Sequence, residues 1–173
     1  MYIVSSKTKS MRRSIFQNIL WTLPAETAHN IKMALLGVVG KLPTGKWWLK
    51  LCHAPRSEEL EREVFGIHFR NPIGVAAGFD PNGDRLNELS ATGFSFVEIG
   101  SVVPRPQPGP PRPRLHRMRS IDSLIDNTGY PSLGLEYVLN NVRKRTKHTR
   151  NLVIGCNIGR LTASHRDDTV KEY

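Results

Sequence analysis

Apolar positions change their spacing along the chain, from a helical period in the first third to short apolar runs further on. Residues that recur every three or four positions predict helices over residues 11–21 and 24–42. Thr22 is the expected N-cap of the second helix, Pro24 suits its first turn, and Gly40 and Pro43 end it. The apolar stripe of that second helix consists of Ala28, Ile31, Leu35, Val38 or Val39, and Leu42.

Residues 55–63 are charged and predict a linker, after which short apolar runs alternate with helical patterns. Strand, helix, strand at this spacing is typical of parallel β/α units. Residues 104–113 contain six prolines and predict a stiff extended loop. The turn residues of 123–132 and the polar residues of 160–168 predict two further loops. The predicted strands cover residues 64–69, 73–77, 94–99 and 151–158, and the predicted helices cover residues 85–91 and 133–145.

The stretch 71–83 is the central feature, because a predicted strand runs there directly into a glycine-rich turn. Gly74, Ala76, Ala77 and Gly78 are small where strands prefer branched or aromatic side chains. Their spacing leaves two interpretations open, namely a flat cofactor ring that approaches the backbone and tight packing against a neighbouring strand. Functional residues of such folds lie at the carboxyl ends of strands.

Polar side chains follow the predicted strands at Asp80, Ser101 and Asn157. Taken alone, Asp80 could fix a turn through its backbone bonds, and Ser101 and Asn157 could satisfy backbone groups at the strand ends. Glu98 is interpreted as a hydrogen-bonded carboxylate of the core. Cys52 and Cys156 lack a metal spacing and are predicted to be buried, reduced thiols of a cytosolic protein.

The net charge of +10 lies mainly in residues 1–50, which hold eight Lys and Arg against one acid, Glu26. Trp47 and Trp48 stand between lysines in this region. Three interpretations remain open: a helical hairpin packed on its own domain, contact with an anionic membrane surface, and nucleic-acid binding. The sequence has no run of about 18 apolar residues and no signal-peptide core, so it predicts neither a membrane span nor secretion.

Five segments resemble the membrane-associated, quinone-reducing class of dihydroorotate dehydrogenase. They are residues 23–29 (LPAETAH), 71–83, 97–109 (VEIGSVVPRPQPG), 112–117 (RPRLHR) and 155–159 (GCNIG). The resemblance implies the N-terminal part of a (β/α)8 TIM barrel preceded by a small helical membrane-associating domain. Residues 1–55 would form the membrane- and quinone-associated segment, and residues 56–173 the first β/α units of an FMN-binding barrel.

The resemblance also implies a function: oxidation of dihydroorotate to orotate through FMN, with quinone as acceptor, in pyrimidine biosynthesis. The partners expected from it are dihydroorotate or orotate, quinone, and a membrane surface contacted by the N-terminal helices, without nucleic acid. The expected location is peripheral, on the cytoplasmic face of the inner membrane. The residues implied are Ala77, Gly78, Phe79, Asp80, Ser101 and Asn157 for FMN; Asn127, Thr128, Gly129 and Tyr130 for the substrate; and His29 and Arg117 along the quinone path.

Several positions depart from the family pattern. Pro81 stands where the family has a substrate-gripping lysine, and Asp126 stands where its substrate loop begins with asparagine. A barrel of this type needs about 250 residues, so the chain carries about three of eight barrel strands, and the serine base is expected beyond its end. It is therefore expected to lack turnover alone. The alternatives are an inactive truncated remnant and a basic membrane- or nucleic-acid-binding protein.

Overall fold

The structure is a computed structural model that describes residues 15–42, 44–53, 58–121, 123–145, 152–163 and 169–172. The helices described are α1 (Ile15–Thr22), α2 (Ala25–Lys41), α3 (Gly45–His53), α4 (Leu86–Ala91), α5 (Leu135–Arg145) and α6 (Thr169–Glu172). The strands described are β1 (Arg62–Val64), β2 (Ile67–Phe69), β3 (Gly74–Val75), β4 (Phe96–Val102), β5 (Leu115–Met118), β6 (Ser123–Asp126) and β7 (Val153–Ile158). Short 3-10 turns cover Glu58–Leu60 and Arg119–Ile121.

A parallel sheet in the order β3-β4-β7 is the centre of the fold. Helix α4 connects β3 to β4, and α5 lies in the longer connection from β4 to β7. This arrangement confirms the predicted β/α alternation and places the carboxyl ends of the three strands at one edge of the sheet. Two antiparallel hairpins, β1-β2 and β5-β6, stand outside this sheet.

The core lies between the sheet and helices α4 and α5. Leu86 and Leu89 of α4 pack on Val97 of β4, and all three side chains are almost fully buried. Val138 of α5 joins this cluster, with Val142 partly buried against it. The predicted inward positions of α4 and these two positions of α5 are therefore confirmed, whereas Leu135 and Leu139 of α5 are exposed.

Helix α2 contacts the domain through small residues instead of its apolar stripe. Gly37 and Gly40 are buried, and a Cβ at Gly40 would overlap the side chain of Glu88 in α4. A Cβ at Gly37 would lie 2.8 Å from Cζ of Arg85, whose Nε donates to the carbonyl of Met33 at 3.1 Å. Of the stripe, Ala28 is buried, but the larger residues Leu35, Val38 and Leu42 are exposed.

The start of α2 also differs from the prediction. Thr22 is not the N-cap, because it is the last residue of α1 and its hydroxyl donates to the carbonyl of Ile19 at 2.7 Å. Pro24 occupies the N-cap position, and its carbonyl accepts the N–H of Ala28 at 2.9 Å. A proline ring presets φ near the value that the chain needs as it enters a helix. The predicted residues 11–14 of the first helix lie outside the described part.

Two hairpins correct the predicted strands and loops. Residues 64–69 contain the end of β1, a two-residue turn and strand β2 instead of one strand, since Phe65 and Gly66 both have positive φ angles. The predicted linker 55–63 accordingly contains a 3-10 turn and the start of β1. Residues 123–126, predicted as loop, form β6, which pairs with β5 from Leu115↔Asp126 to Met118↔Ser123.

Strand β7 leaves one side of the sheet uncovered in the described part of the chain. Cys156 is therefore exposed, and the prediction of a buried thiol at this position is wrong. Partial burial, together with the carboxylate of Glu98 on the neighbouring strand, raises the pKa of the Cys156 thiol. The side chain of Cys52 and residues 164–168 of the predicted polar loop lie outside the described residues.

Candidate functional site

The carboxyl ends of the three parallel strands bring together residues that are far apart in sequence. The N–H of Gly78 donates to the carbonyl of Gly100 at 2.8 Å, which joins the glycine turn to β4. The hydroxyl of Ser101 donates to Oδ1 of Asn157 at 2.5 Å, which joins β4 to β7. Gly78, Ser101 and Asn157, which the sequence analysis singled out separately, therefore lie along one edge.

Space in front of Gly78 distinguishes this edge from an ordinary strand end. Gly78 has φ of +93°, and a Cβ built on it would meet no atom within 4 Å. The backbone conformation therefore requires a glycine at this position, whereas no neighbouring atom would exclude a side chain. The open space leaves room for a flat group beside the main chain of Ala77, Gly78 and Phe79, which fits one of the two interpretations of the small residues. Gly74 fits the other, because a Cβ built on it would overlap the ring of Phe96 on the neighbouring strand.

Asp80 fixes the turn that leads into α4. Its side chain is only 2% exposed, and its two carboxylate oxygens accept the N–H groups of Asp84 at 2.9 Å and Arg85 at 2.8 Å. Its carbonyl also accepts the N–H of Gly83 at 3.1 Å. This geometry supports the turn-fixing interpretation of Asp80, while contact between Asp80 and a cofactor stays a prediction.

A polar network on α5 holds the same turn, and the sequence analysis did not single it out. Tyr137 and Asn141 both donate to Oδ1 of Asp84 at 3.0 Å, and Asn141 also donates to the carbonyl of Asn82. Oδ1 of Asn82 accepts the N–H of Leu133 at 3.0 Å. The spacing of Tyr137 and Asn141, one helical turn apart on α5, is the signal that could have shown them to share a face.

A small cavity of about 230 Å³ lies between the strand ends and the loop after β6. The strand-end side is formed by Ala77, Gly78, Pro81, Gly100 and Ser101, and the loop side by Asp126, Thr128, Gly129, Tyr130 and Pro131. Three of the four predicted substrate residues thus line this cavity. Asn127 does not, because its main-chain N–H bonds to the carbonyl of Arg114 and its side chain is exposed.

The loop that closes the small cavity is held from two directions. Oδ1 of Asp126 accepts both the N–H of Thr128 at 2.8 Å and its hydroxyl at 2.6 Å. Gln107 of the proline-rich segment donates to the carbonyl of Tyr130 at 2.7 Å, and its main chain pairs with that of Ser132. The proline-rich segment therefore holds the loop in place through these hydrogen bonds.

A larger cavity of about 1270 Å³ adjoins the first and reaches the N-terminal helices. The two cavities share six residues in their walls, namely Ala77, Gly78, Pro81, Asp126, Thr128 and Pro131. His29 of α2 and Arg117 of β5 both line the larger one, while their place along a quinone path stays a prediction. The structure therefore brings the residues predicted for two different ligands into one connected space.

His29 and Arg117 are fixed by aromatic and main-chain contacts. The ring of His29 meets that of Phe79 edge-on, with centroids 5.1 Å apart. The guanidinium of Arg117 donates to the carbonyls of Trp21 at 2.6 Å and Leu23 at 3.0 Å, and lies 4.2 Å from the centroid of the Trp21 ring. Phe79 thus connects the strand-end turn to α2, and Arg117 connects the β5-β6 hairpin to the junction of α1 and α2.

The environment of His29 gives a pH dependence that can be measured. Burial, followed by the positive charge of Lys32, lowers the pKa of His29 below 6.5, against a weaker opposite effect of a hydrogen bond to the main chain of Phe79. At pH values between the pKa of His29 in the folded chain and its pKa in the unfolded chain, the unfolded chain therefore binds more protons. The His29 contribution to the free energy of unfolding is therefore highest above pH 6.5 and falls as the pH is lowered through this window.

We expect the substitution Lys32→Gln to raise the pKa of His29, because it removes the nearby positive charge. A titration of the imidazole proton resonances by NMR measures this pKa directly. Lys46→Gln, which removes a lysine from α3, is the control and should leave the pKa unchanged. A His29 pKa at or above 6.5 in the wild-type chain would contradict the described environment.

Comparisons with known proteins agree with this geometry. The family model of dihydroorotate dehydrogenase matches residues 59–173. The dihydroorotate dehydrogenase (quinone) of Christiangramia forsetii is 37% identical over 163 residues, which cover 94% of this chain and 47% of that relative. The enzyme of the same description from Azotobacter vinelandii is 39% identical over 160 residues, with 92% and 44% covered.

Solved structures show the same relationship. A crystal structure of DHODH from Eimeria tenella in complex with ferulenol has a TM-score of 0.71 and 29% identity, and covers 88% of this chain and 42% of that chain. A ligand-free structure of DHODH from the same organism has the same TM-score, with 31% identity. This chain spans about half the length of the curated relatives that it matches.

The fold and the position of the site define part of a (β/α)8-barrel protein whose ligand site lies at the carboxyl ends of the strands. Three parallel strands, two connecting helices and the glycine turn all belong to that architecture. The chain belongs to the dihydroorotate dehydrogenase family. Members of this family are flavoenzymes, and both curated relatives described above are of the quinone-reducing kind.

Proposed function

We propose that this chain provides the flavin-binding strand ends and the quinone-facing helices of an oxidoreductase of the dihydroorotate dehydrogenase (quinone) type. In that reaction dihydroorotate is oxidised to orotate and the electrons pass through FMN to a quinone, a step of pyrimidine biosynthesis. The observation that carries the proposal is the connected space that reaches from Gly78 and Ser101, whose hydroxyl is bonded to Asn157, to His29 and Arg117.

FMN fits the strand-end edge on the chemistry of the residues there. The open space at Gly78 is a cradle that any side chain would fill, and the backbone beside it is formed by small residues. Ser101 and Asn157 supply a neutral hydroxyl and a neutral amide, which can bond to ring heteroatoms without fixing a charge. When bound there, FMN supplies the two-electron redox chemistry.

The chain's own residues position the reactants and exclude water. Ser101 and Asn157 would hold the edge of the flavin ring, and Gly78 would leave room for the ring beside the main chain. The loop of Thr128–Pro131, braced by Gln107, covers the small cavity. His29 and Arg117 border the larger cavity, in which a quinone head group can lie against the aromatic ring of Phe79. Binding and orientation are therefore the contributions of this part of the barrel.

The proposed role of the larger cavity is tested by the half-reaction between reduced flavin and quinone, which needs no dihydroorotate. The chain is loaded with FMN, which is photoreduced without oxygen with EDTA as the electron donor. A soluble short-chain quinone is then added, and the return of oxidised flavin absorbance is followed. We expect His29→Ala and Arg117→Ala to slow this return, whereas Glu58→Gln, outside both cavities, leaves it unchanged. Equal rates in all four proteins would contradict the proposed quinone path.

Helices α2 and α3 support a further part of the proposal, which is peripheral contact with a membrane surface. No helix in the described part of the chain is long and apolar enough to cross a bilayer. Trp47 and Trp48 are 66% and 52% exposed, and the apolar residues Leu35, Val38, Leu42 and Leu51 are exposed as well. Amphipathic helices with tryptophans and lysines are typical of the membrane interface. The location proposed with this contact is the cytoplasmic face of the inner membrane.

We expect the double substitution Trp47→Ser and Trp48→Ser to weaken binding to anionic phospholipid vesicles by at least about tenfold, since each tryptophan buries a large apolar area. Co-sedimentation with vesicles measures the bound fraction. Val170→Ser on α6, which also changes an exposed apolar residue, should leave binding unaffected. Vesicle binding that is the same for all three proteins would refute membrane contact through α3.

A further inference from the structure

The side chain of Gln107 bonds to two loops that are far apart in sequence. Its Nε2 donates to the carbonyl of Tyr130 at 2.7 Å, in the loop of residues 128–131 that covers the small cavity. Its Oε1 accepts the N–H of Thr162 at 3.0 Å, in the loop of residues 159–162 that follows β7. We propose that Gln107 is a positioning residue that joins the covering loop (128–131) to the β7 loop (159–162), so that loosening one loop loosens the other.

The amide of Gln107 suits this role because it carries a donor and an acceptor on one carbon atom. The carbonyl of Tyr130 only accepts and the N–H of Thr162 only donates, which fixes the identity of the two amide atoms. Prolines on both sides of Gln107 restrict its main chain. That main chain also exchanges two hydrogen bonds with Ser132, at 2.9 and 3.0 Å. The side chain therefore projects from a fixed backbone.

The β7 loop packs against the pair of side chains proposed to bind the flavin. Gly159 is buried, and its N–H donates to the carbonyl of Val102 at 2.8 Å. A Cβ built on Gly159 would lie 3.1 Å from Cβ of Ser101, whose hydroxyl is bonded to Asn157. Leu161 is also buried. Because packing this close leaves no spare room, a shift of the β7 loop is expected to displace Ser101 and Asn157.

The covering loop has its other attachment at Asp126, which accepts the N–H and the hydroxyl of Thr128. Gln107 thus connects this loop to the far side of the strand-end edge, where β7 ends. A ligand that orders one of the two loops favours the ordered state of the other, since the same amide bonds to both. The inference rests on the proposed function in one respect, namely that the ligand held beside Ser101 and Asn157 is FMN.

The connection between the loops is tested by amide hydrogen exchange, measured by NMR on the full chain without any ligand. Thr128→Val keeps the shape of the side chain but removes its hydroxyl bond to Asp126. We expect this change to accelerate exchange of the distant Thr162 N–H by about two- to fivefold. Thr92→Val is the matched control, because it removes a hydroxyl bond to the carbonyl of Leu89 at 2.8 Å. It should leave Thr162 exchange unchanged.

Two substitutions of Gln107 separate its two bonds. Gln107→Glu keeps an acceptor for the Thr162 N–H but loses the donor to Tyr130, so Thr162 should stay protected and Thr128→Val should no longer affect it. Gln107→Met loses both bonds and should accelerate Thr162 exchange by about three- to tenfold. The inference is overturned if Thr128→Val leaves Thr162 exchange unchanged in the otherwise wild-type chain. It is also overturned if Gln107→Glu protects Thr162 no better than Gln107→Met does.

A fluorescence titration with FMN then tests the positioning role of Gln107. We expect Gln107→Met to weaken FMN binding by about threefold or more, and Gln107→Glu to restore most of it, because the bond to Thr162 is kept. Equal FMN affinity in the wild-type chain and Gln107→Met would overturn this role. The exchange experiments contain no flavin, so absence of FMN binding to the wild-type chain would contradict the proposed function and leave the connection between the loops to be decided by exchange.

Discussion

Replacing Asp80 with alanine should lower the free energy of unfolding by about 2–4 kcal/mol. The reason is that both carboxylate oxygens accept backbone N–H groups, from Asp84 and Arg85, in a place where the side chain is only 2% exposed. An unsatisfied buried donor costs about 1–3 kcal/mol, and the substitution removes the acceptor of two N–H groups at once. Urea denaturation followed by circular dichroism measures the change.

Asp80→Asn is the informative companion to this substitution. Its amide oxygen can still accept one of the two N–H groups, but its NH2 group cannot accept the other, so we expect a loss between those of wild type and Asp80→Ala. Glu58→Ala, which removes an exposed carboxylate, should change stability by less than about 0.5 kcal/mol. If Asp80→Ala were as stable as wild type, the described anchoring of the turn to α4 would be incorrect.

The second large effect is expected for flavin affinity. The substitutions Ser101→Ala and Asn157→Ala, made together, should weaken FMN binding by about 10- to 100-fold, because each removes a neutral hydrogen-bonding group worth about 0.5–1.5 kcal/mol. The two side chains bond to each other at 2.5 Å, so the single variants should not add up to the double variant. A fluorescence titration of FMN with each protein gives the dissociation constants.

Two controls keep this result specific. Ser120→Ala changes an exposed hydroxyl in the 3-10 turn after β5 and should leave FMN affinity unchanged. Unfolding curves must also show that the double variant is folded at the temperature of the titration, since the Ser101–Asn157 bond joins β4 to β7. Undiminished FMN affinity in a folded double variant would remove these side chains from the flavin site.

The elements that the sequence predicts best are those fixed by local periodicity. Strand β4 follows from a short run of apolar residues, and helix α5 follows from apolar residues spaced three or four positions apart. The β1-β2 turn was missed because Phe65, a residue that rarely adopts positive φ, takes φ of 54° there. The β5-β6 hairpin was missed because its register pairs two short segments on either side of a 3-10 turn, within a stretch rich in turn residues.

The candidate site was only partly predictable for a related reason. Its members were found as separate strand-end residues, and their resemblance to a known family linked them. The contact between Ser101 and Asn157 spans 56 positions, which no local pattern reveals. The burial of Gly37 and Gly40 in place of the apolar stripe of α2 likewise depends on a partner helix. The domain boundary near residue 55 and the ligand assignments of the site residues stay predictions.

The central claim is that FMN binds at the carboxyl ends of β3, β4 and β7. It is tested most directly by assigning the backbone amide resonances of the chain and recording their shifts as FMN is added. The account predicts that the largest shifts occur at Gly78, Phe79, Ser101 and Asn157. Shifts confined to the basic helices α1–α3, or no shifts at saturating FMN, would contradict it and favour a basic surface-binding protein or a remnant without flavin.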